Sequence, residues 1–365
     1  MRIKRINFLF LIIVLVSFLP LFTMVNGFTF SLPVSYFEST GIPIHISLFL
    51  VVILFFKEVK KNILPFFLIL SLISINLLLS VERGFLLFQA LQPFLFMTVF
   101  KNTKYSIDDS LIYKCLFFFI VIIAGNLCYG FFLNGFDLLL IRNFIIENFY
   151  TIKFYQSSVS FPIFLNCILL LIIFQKKKSY LNNNIFLIFN IIIIFIQILL
   201  LRKVAIFDML FIYSIFYPKF IKWILLFTFF LFLFLNVDVN SLEFFERIFD
   251  SNSYSSRENT WEENLNFLSN YDIIFFGIGK NTYAHNYFLG QLITFGIPLT
   301  MIIFILNFSH FFYFRLFKNK FIFTLFFIFL IDCFFNANLT QTYAIFGFSF
   351  LFIYFKNYIT KRAKI

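Results

Sequence analysis

Ile185-Phe-Leu-Ile-Phe-Asn-Ile-Ile-Ile-Ile-Phe-Ile-Gln-Ile-Leu-Leu-Leu201 runs for seventeen residues without a charge, between Lys176-Lys-Lys178 and Arg202-Lys203. A helix needs about 17–25 apolar residues to cross a bilayer, so this stretch reads as a membrane span. Runs of the same kind fill the chain. Of its 365 residues 61% are hydrophobic and 67 are Phe, with mean hydropathy +0.95. Only 13% are charged, against about 25% in soluble domains. No water-soluble fold hides that much apolar surface, so the sequence specifies a polytopic integral membrane protein. The N-terminal Arg2, Lys4 and Arg5 before an apolar run imitate a signal peptide. The run is too long for one and more spans follow, so it reads as an uncleaved first span.

Apolar runs against polar breaks predict spans at 6–26, 41–56, 63–80, 84–100, 115–133, 159–175, 185–201, 204–218, 223–237, 286–308, 321–336 and 342–355. The expected fold is therefore all-α, a single transmembrane domain over 1–365 of about twelve helices, with one larger loop at 238–285. Several runs are short, which leaves eleven spans or one re-entrant segment open. With the N-terminus in the cytoplasm, 21 of the 29 Lys and Arg fall inside and 8 outside, the asymmetry that sets membrane orientation. Both termini are then cytoplasmic and the 238–285 loop faces outward.

The outward cations are Arg83, Arg142, Lys153, Arg202, Lys203, Arg247, Arg257 and Lys280, whereas the cytoplasmic set holds four Arg and seventeen Lys. Lys suffices at a lipid surface; Arg offers a planar fork for phosphate or carboxylate. The bias points to an outward anion site. Cys115, Cys128, Cys167 and Cys333 lie in apolar runs at no metal or redox spacing and read as small interior residues. No Walker motif is present, so any reaction uses an already activated substrate.

The long loop carries Arg257-Glu-Asn-Thr-Trp261, Gly277-Ile-Gly279 and His285-Asn286. Ser255 and Glu258 form a capping-box pattern, predicting a helix over about 256–269. Arg257 would stand in its first turn, where free N–H groups and the helix dipole favour an anion. Trp261, one turn on, can hold the guanidinium or stack on a sugar ring. The glycine pair reads as a tight turn back to the membrane, and His285 as a boundary residue. Asp208, Asp332 and Asn336 are polar groups inside spans, which mark either helix contacts or a substrate path. No residues stand at metal-ligand spacing, and neither a metal nor a nucleic-acid partner is expected.

The Arg-x-x-x-Trp loop helix, Gly-x-Gly, His-Asn and the following Gly296-Ile-Pro298 resemble the O-antigen polymerase and O-antigen ligase superfamily of bacterial glycosyltransferases. The specific part covers 257–298. The resemblance implies a GT-C-like transferase of the inner membrane, its site facing the periplasm, working without cofactor, metal or nucleotide sugar. It implies a glycan donor on undecaprenyl diphosphate, with a chain-length regulator as a candidate protein partner. Carried over by position, Arg257 would bind the diphosphate and His285 would take part in transfer. Arg202 and Arg83 correspond as further outward arginines; Trp261, Asn286 and Asp208 complete the expected substrate-binding set. The acceptor base is His285, with Asp208 or Glu258 as alternatives. A ligase moving glycan to lipid A–core shares this chemistry, and a lipid-linked oligosaccharide flippase is the reading from another class.

Overall fold

In hydrocarbon no water can satisfy a backbone N–H or C=O, so a spanning segment must pair these groups within itself. The chain meets that demand with helices. The computed structural model describes residues 5–18, 21–25, 28–32, 34–35, 44–45, 53–99, 107–135, 137–146, 160–200, 202–222, 226, 252–280, 286–313, 319–335, 349 and 351–362. In order these give α1 (Arg5–Phe18), β1 (Leu21–Val25), β2 (Phe28–Leu32), β3 (Val34–Ser35) and β4 (Ile44–His45). There follow α2 (Phe56–Lys61), α3 (Ile63–Leu79), α4 (Val81–Val99), α5 (Asp109–Asn134), α6 (Leu138–Ile146) and α7 (Ser160–Lys177). Next come α8 (Asn183–Leu200), α9 (Lys203–Phe216), α10 (Asn252–Phe267), α11 (Tyr271–Phe276), α12 (Tyr287–Tyr313), α13 (Lys320–Phe335) and α14 (Leu351–Arg362).

Among the described residues three helices are long and apolar enough to cross a membrane: Asp109–Asn134, Asn183–Leu200 and Tyr287–Ser309. Ile63–Leu79 and Ala90–Val99 are shorter apolar helices. Leu78 is 87% exposed and Phe132 83%, as suits side chains that meet lipid instead of water.

The beginning of the chain departs from expectation. The helix predicted over 6–26 stops at Phe18, and β1 to β4 form an antiparallel meander in sequence order. Val25 pairs with Phe28, and the two residues between them are Asn26-Gly27, the strongest short hairpin signal a sequence carries. Apolarity alone cannot tell a strand from a helix, and the Asn-Gly pair in the sequence favours strands on either side. For the same reason 41–56 is not one continuous span, since Ile44–His45 pairs with Val34–Ser35.

Two compact units are formed, one from Met1–Ile107 with Ser255–Ile365, the other from Asp108–Tyr254. In the second, α7 packs on α8 and α9 around a seam of buried amides. Gln197 Nε2 donates to Pro162 O at 2.6 Å and to Asn166 Oδ1 at 3.1 Å. Asn166 Nδ2 in turn donates to Ala205 O at 2.8 Å. Such bonds tie helices together where apolar surface cannot, because lipid is as apolar as a side chain. Phe119 meets Phe164 edge-to-face at 5.8 Å, and Lys178 pairs with Asp109 at 2.8 Å.

In the first unit α4 packs on α3 and α12, and α12 on α11 and α13. Gly84 permits the α3–α4 contact, since a Cβ there would lie 2.3 Å from Leu77 Cγ. Pro93 leaves the carbonyl of residue 89 without a helical donor. Beside it, Ala90 O accepts from Asn307 Nδ2 at 2.9 Å.

α12 is not continuous: Gly296 takes φ 75° and ψ 170° and splits it into two half-helices. A Cβ at Gly296 would lie 2.3 Å from Phe275 O, and one at Gly277 (φ 68°) 2.4 Å from Thr294 O. Main chain thus rests on main chain, with no flexible side chain to yield. Gly296→Ala and Gly277→Ala should each cost more than about 2 kcal/mol, combining backbone strain with a clash. Gly279→Ala (φ 71°, nearest atom 3.6 Å) should cost about 1 kcal/mol. Gly125→Ala, with nothing within 4 Å, should be neutral. Thermal unfolding of the four variants in lipid nanodiscs checks the order; equal effects at Gly125 and Gly296 would refute it.

Candidate functional site

Arg83 stands in the first turn of α4, one short corner after α3. Ser80 makes that corner: its backbone is extended (φ −161°, ψ 131°) and its Oγ accepts the Arg83 N–H at 3.4 Å. A side-chain oxygen accepting the N–H three residues on is the usual way of closing a helix N-terminus. The corner sets Arg83 against the last turn of α3, where Arg83 Nε donates to Asn76 Oδ1 at 2.8 Å. Asn76 is itself fixed, because its Nδ2 donates to Leu72 O at 2.8 Å.

The other side of the guanidinium reaches the break in α12. Arg83 Nη2 donates to Phe295 O at 3.4 Å, a link across 212 residues of sequence. The break is lined by the Gly277–Gly279 loop. α11 is capped at its start by Asn270, whose side chain accepts from Asp272 N–H at 2.9 Å, and ends at Gly277. From there Ile278 N–H donates to Ile293 O at 2.8 Å and Gly279 N–H to Thr294 O at 3.0 Å. Thr294 Oγ1 closes the loop by donating to Lys280 O at 3.1 Å. A Cβ on Gly279 would sit 3.6 Å from Arg83 Cδ and 4.0 Å from Nη1, so the guanidinium lies beside the bare backbone of the glycine.

Among the described residues Arg83 has no carboxylate partner, and its Nη1 donates no hydrogen bond. Lys280, next to Gly279, is exposed. A half-buried guanidinium with two corners anchored and a third free is suited to hold an anion. Removing it from water without a counter-ion is costly unless a ligand supplies the charge.

The other expected residues fall as follows. Arg257 and Glu258 are in α10, which begins at Asn252, upstream of the predicted cap at Ser255. Short polar residues at 250–252 offer an earlier start than the capping box does. Arg257 therefore lies beyond the first turn, and the dipole argument for it weakens accordingly. Trp261 is half-buried on α10, its Nε1 without a hydrogen-bond partner among the described residues. Asn286 has a structural task, its Oδ1 accepting the Leu289 N–H at 3.0 Å at the start of α12. Arg202 and Asp208 belong to the second unit. Arg202 is the extended residue between α8 and α9 (φ −89°, ψ 101°), and Asp208 is fully buried on α9. Asp332 is fully buried on α13. His285 and Asn336 lie outside the described residues. No group of three His, Cys, Asp or Glu side chains that could hold a metal occurs among the described residues.

Asn76 and Thr294 were missed in the sequence. A lone amide in the apolar run 63–80 was the available signal for the first; Pro298, which leaves the carbonyl of residue 294 without a helical donor, was the signal for the second. Lys cannot reproduce the planar fork, so Arg83→Lys should destabilise the protein by about 1–2 kcal/mol by losing one of its two anchors. A thermal shift in nanodiscs measures this, and an unchanged midpoint would show that the two bonds carry no weight. No family model, curated protein or solved structure matches the chain.

Proposed function

We propose that the chain is an inner-membrane glycosyltransferase of about twelve spans and GT-C-like architecture, with both termini cytoplasmic and the 238–285 loop in the periplasm. Its reaction is O-antigen polymerisation: a glycan passes from undecaprenyl diphosphate to a hydroxyl of another lipid-linked repeat unit. The observation that carries this reading is Arg83, anchored by Asn76 Oδ1 and Phe295 O at the break of α12, with Nη1 unbonded among the described residues. It supplies the fixed cation that a departing lipid diphosphate requires, beside the very loop that bears the family-like motif.

In the step, the acceptor oxygen attacks the anomeric carbon of the donor sugar as the bond from that carbon to the diphosphate oxygen breaks. The bonding pair leaves with the diphosphate. Arg83 and Arg257 stabilise that growing charge, an effect strengthened where water is excluded. The hydroxyl proton passes to His285, or to the carboxylate of Glu258. Trp261 offers a face for a sugar ring, and Arg202 is a further outward cation. Lipid A–core as acceptor would make the same machinery a ligase. The broken α12 lends some support to a flippase, since discontinuous helices are common at transporter binding sites.

The test is a gel of surface polysaccharide from a deletion strain carrying the wild-type chain, Arg83→Ala, Arg257→Ala or His285→Ala. The expected result is a deletion with single repeat units on lipid A–core, a ladder restored by the wild type, and none with the three variants. Long chains kept on the carrier and missing from lipid A–core would identify the ligase. Repeat units trapped on the cytoplasmic face would identify the flippase. A normal ladder with all three variants would overturn the catalytic reading.

A further inference from the structure

We propose that Asn76 is a positioning residue that aims the Arg83 guanidinium at its anion, an inference that rests on Arg83 binding the diphosphate. Asn76 is 4% exposed near the end of an apolar helix, where an amide without a task would be costly. Both halves of that amide are engaged. Nδ2 is held by Leu72 O on its own helix, which leaves Oδ1 facing Arg83 Nε. Flipping the amide would set two N–H donors against a guanidinium that only donates, so the orientation is unique.

The geometry of the fork then follows. One anchor lies at Nε and the other at Nη2. Together they fix the plane of the guanidinium and leave Nη1 beside Gly279, whose missing side chain keeps that corner open. With Asn76 gone, the long Arg side chain regains rotamer freedom and must be ordered again by each ligand. A neutral acceptor is also the right chemical choice. A carboxylate at 76 would hold Nε equally well but would neutralise the cation and compete with the incoming diphosphate.

The experiment measures binding of farnesyl diphosphate, with farnesol as the uncharged control, to the full chain in lipid nanodiscs. The proteins are wild type, Asn76→Leu, Asn76→Ala, Arg83→Ala and the two double variants. Loss of one hydrogen bond to a charged group predicts binding weaker by about tenfold or more for Asn76→Leu. Asn76→Ala, which also removes the acceptor and serves if the Leu variant fails to fold, should bind the diphosphate as weakly as Asn76→Leu. Neither substitution should weaken binding further in the Arg83→Ala background. Wild-type affinity in both single variants, or an equal loss with and without Arg83, would overturn the positioning role while leaving the Arg83 site standing. Equal binding of farnesol and farnesyl diphosphate by the wild type would instead overturn the diphosphate reading, and this inference with it.

Discussion

Three carbonyl oxygens govern the arrangement at the centre of the first unit. Where α12 breaks, Ile293, Thr294 and Phe295 cannot all bond in the ordinary way four residues on. The partner of Thr294 would be Pro298, which has no N–H. In a medium without water each orphan costs several kcal/mol, so donors must come from elsewhere. Ile278 N–H and Gly279 N–H supply two, and Arg83 supplies the third. The close approach of the loop, the need for glycine at 277 and 296, and the placement of a half-buried cation beside the break all follow from that one requirement.

The same requirement explains why polar side chains occur where the sequence is otherwise hydrocarbon. Asn166, Asn190 and Gln197 are buried in the second unit, and each has a defined partner: a carbonyl, another amide or, for Asn190, the Tyr213 hydroxyl. Asn76 and Asn307 repeat the pattern in the first unit. In a lipid solvent the apolar residues make the chain insert, and it is these few amides that specify which helices meet.

Legibility in the sequence divided along the range of the interactions. Helices such as α5 and α8 were readable because a long uncharged apolar run has one inexpensive conformation in a bilayer. The meander at β1 to β4 was not read, because hydropathy masked the short-range signal of Asn26-Gly27. The start of α10 was misplaced by a few residues, since neighbouring polar residues make nearly equivalent caps. Of the site, the glycine pair and Gly296-Ile-Pro298 stood out as motifs, and Arg83 only as one outward cation among several. What joins them is a bond between residues 212 positions apart, and nothing local in either segment announces the other.

That separation has a consequence for how the protein is made. Synthesis at about 5–20 residues per second puts roughly 10–40 s between the emergence of Arg83 and that of Phe295. During that interval the guanidinium has Asn76, only seven residues upstream, as its ready protein partner. The corner between α3 and α4 can thus form with its charge already half accommodated, before the last third of the chain arrives to complete the cluster.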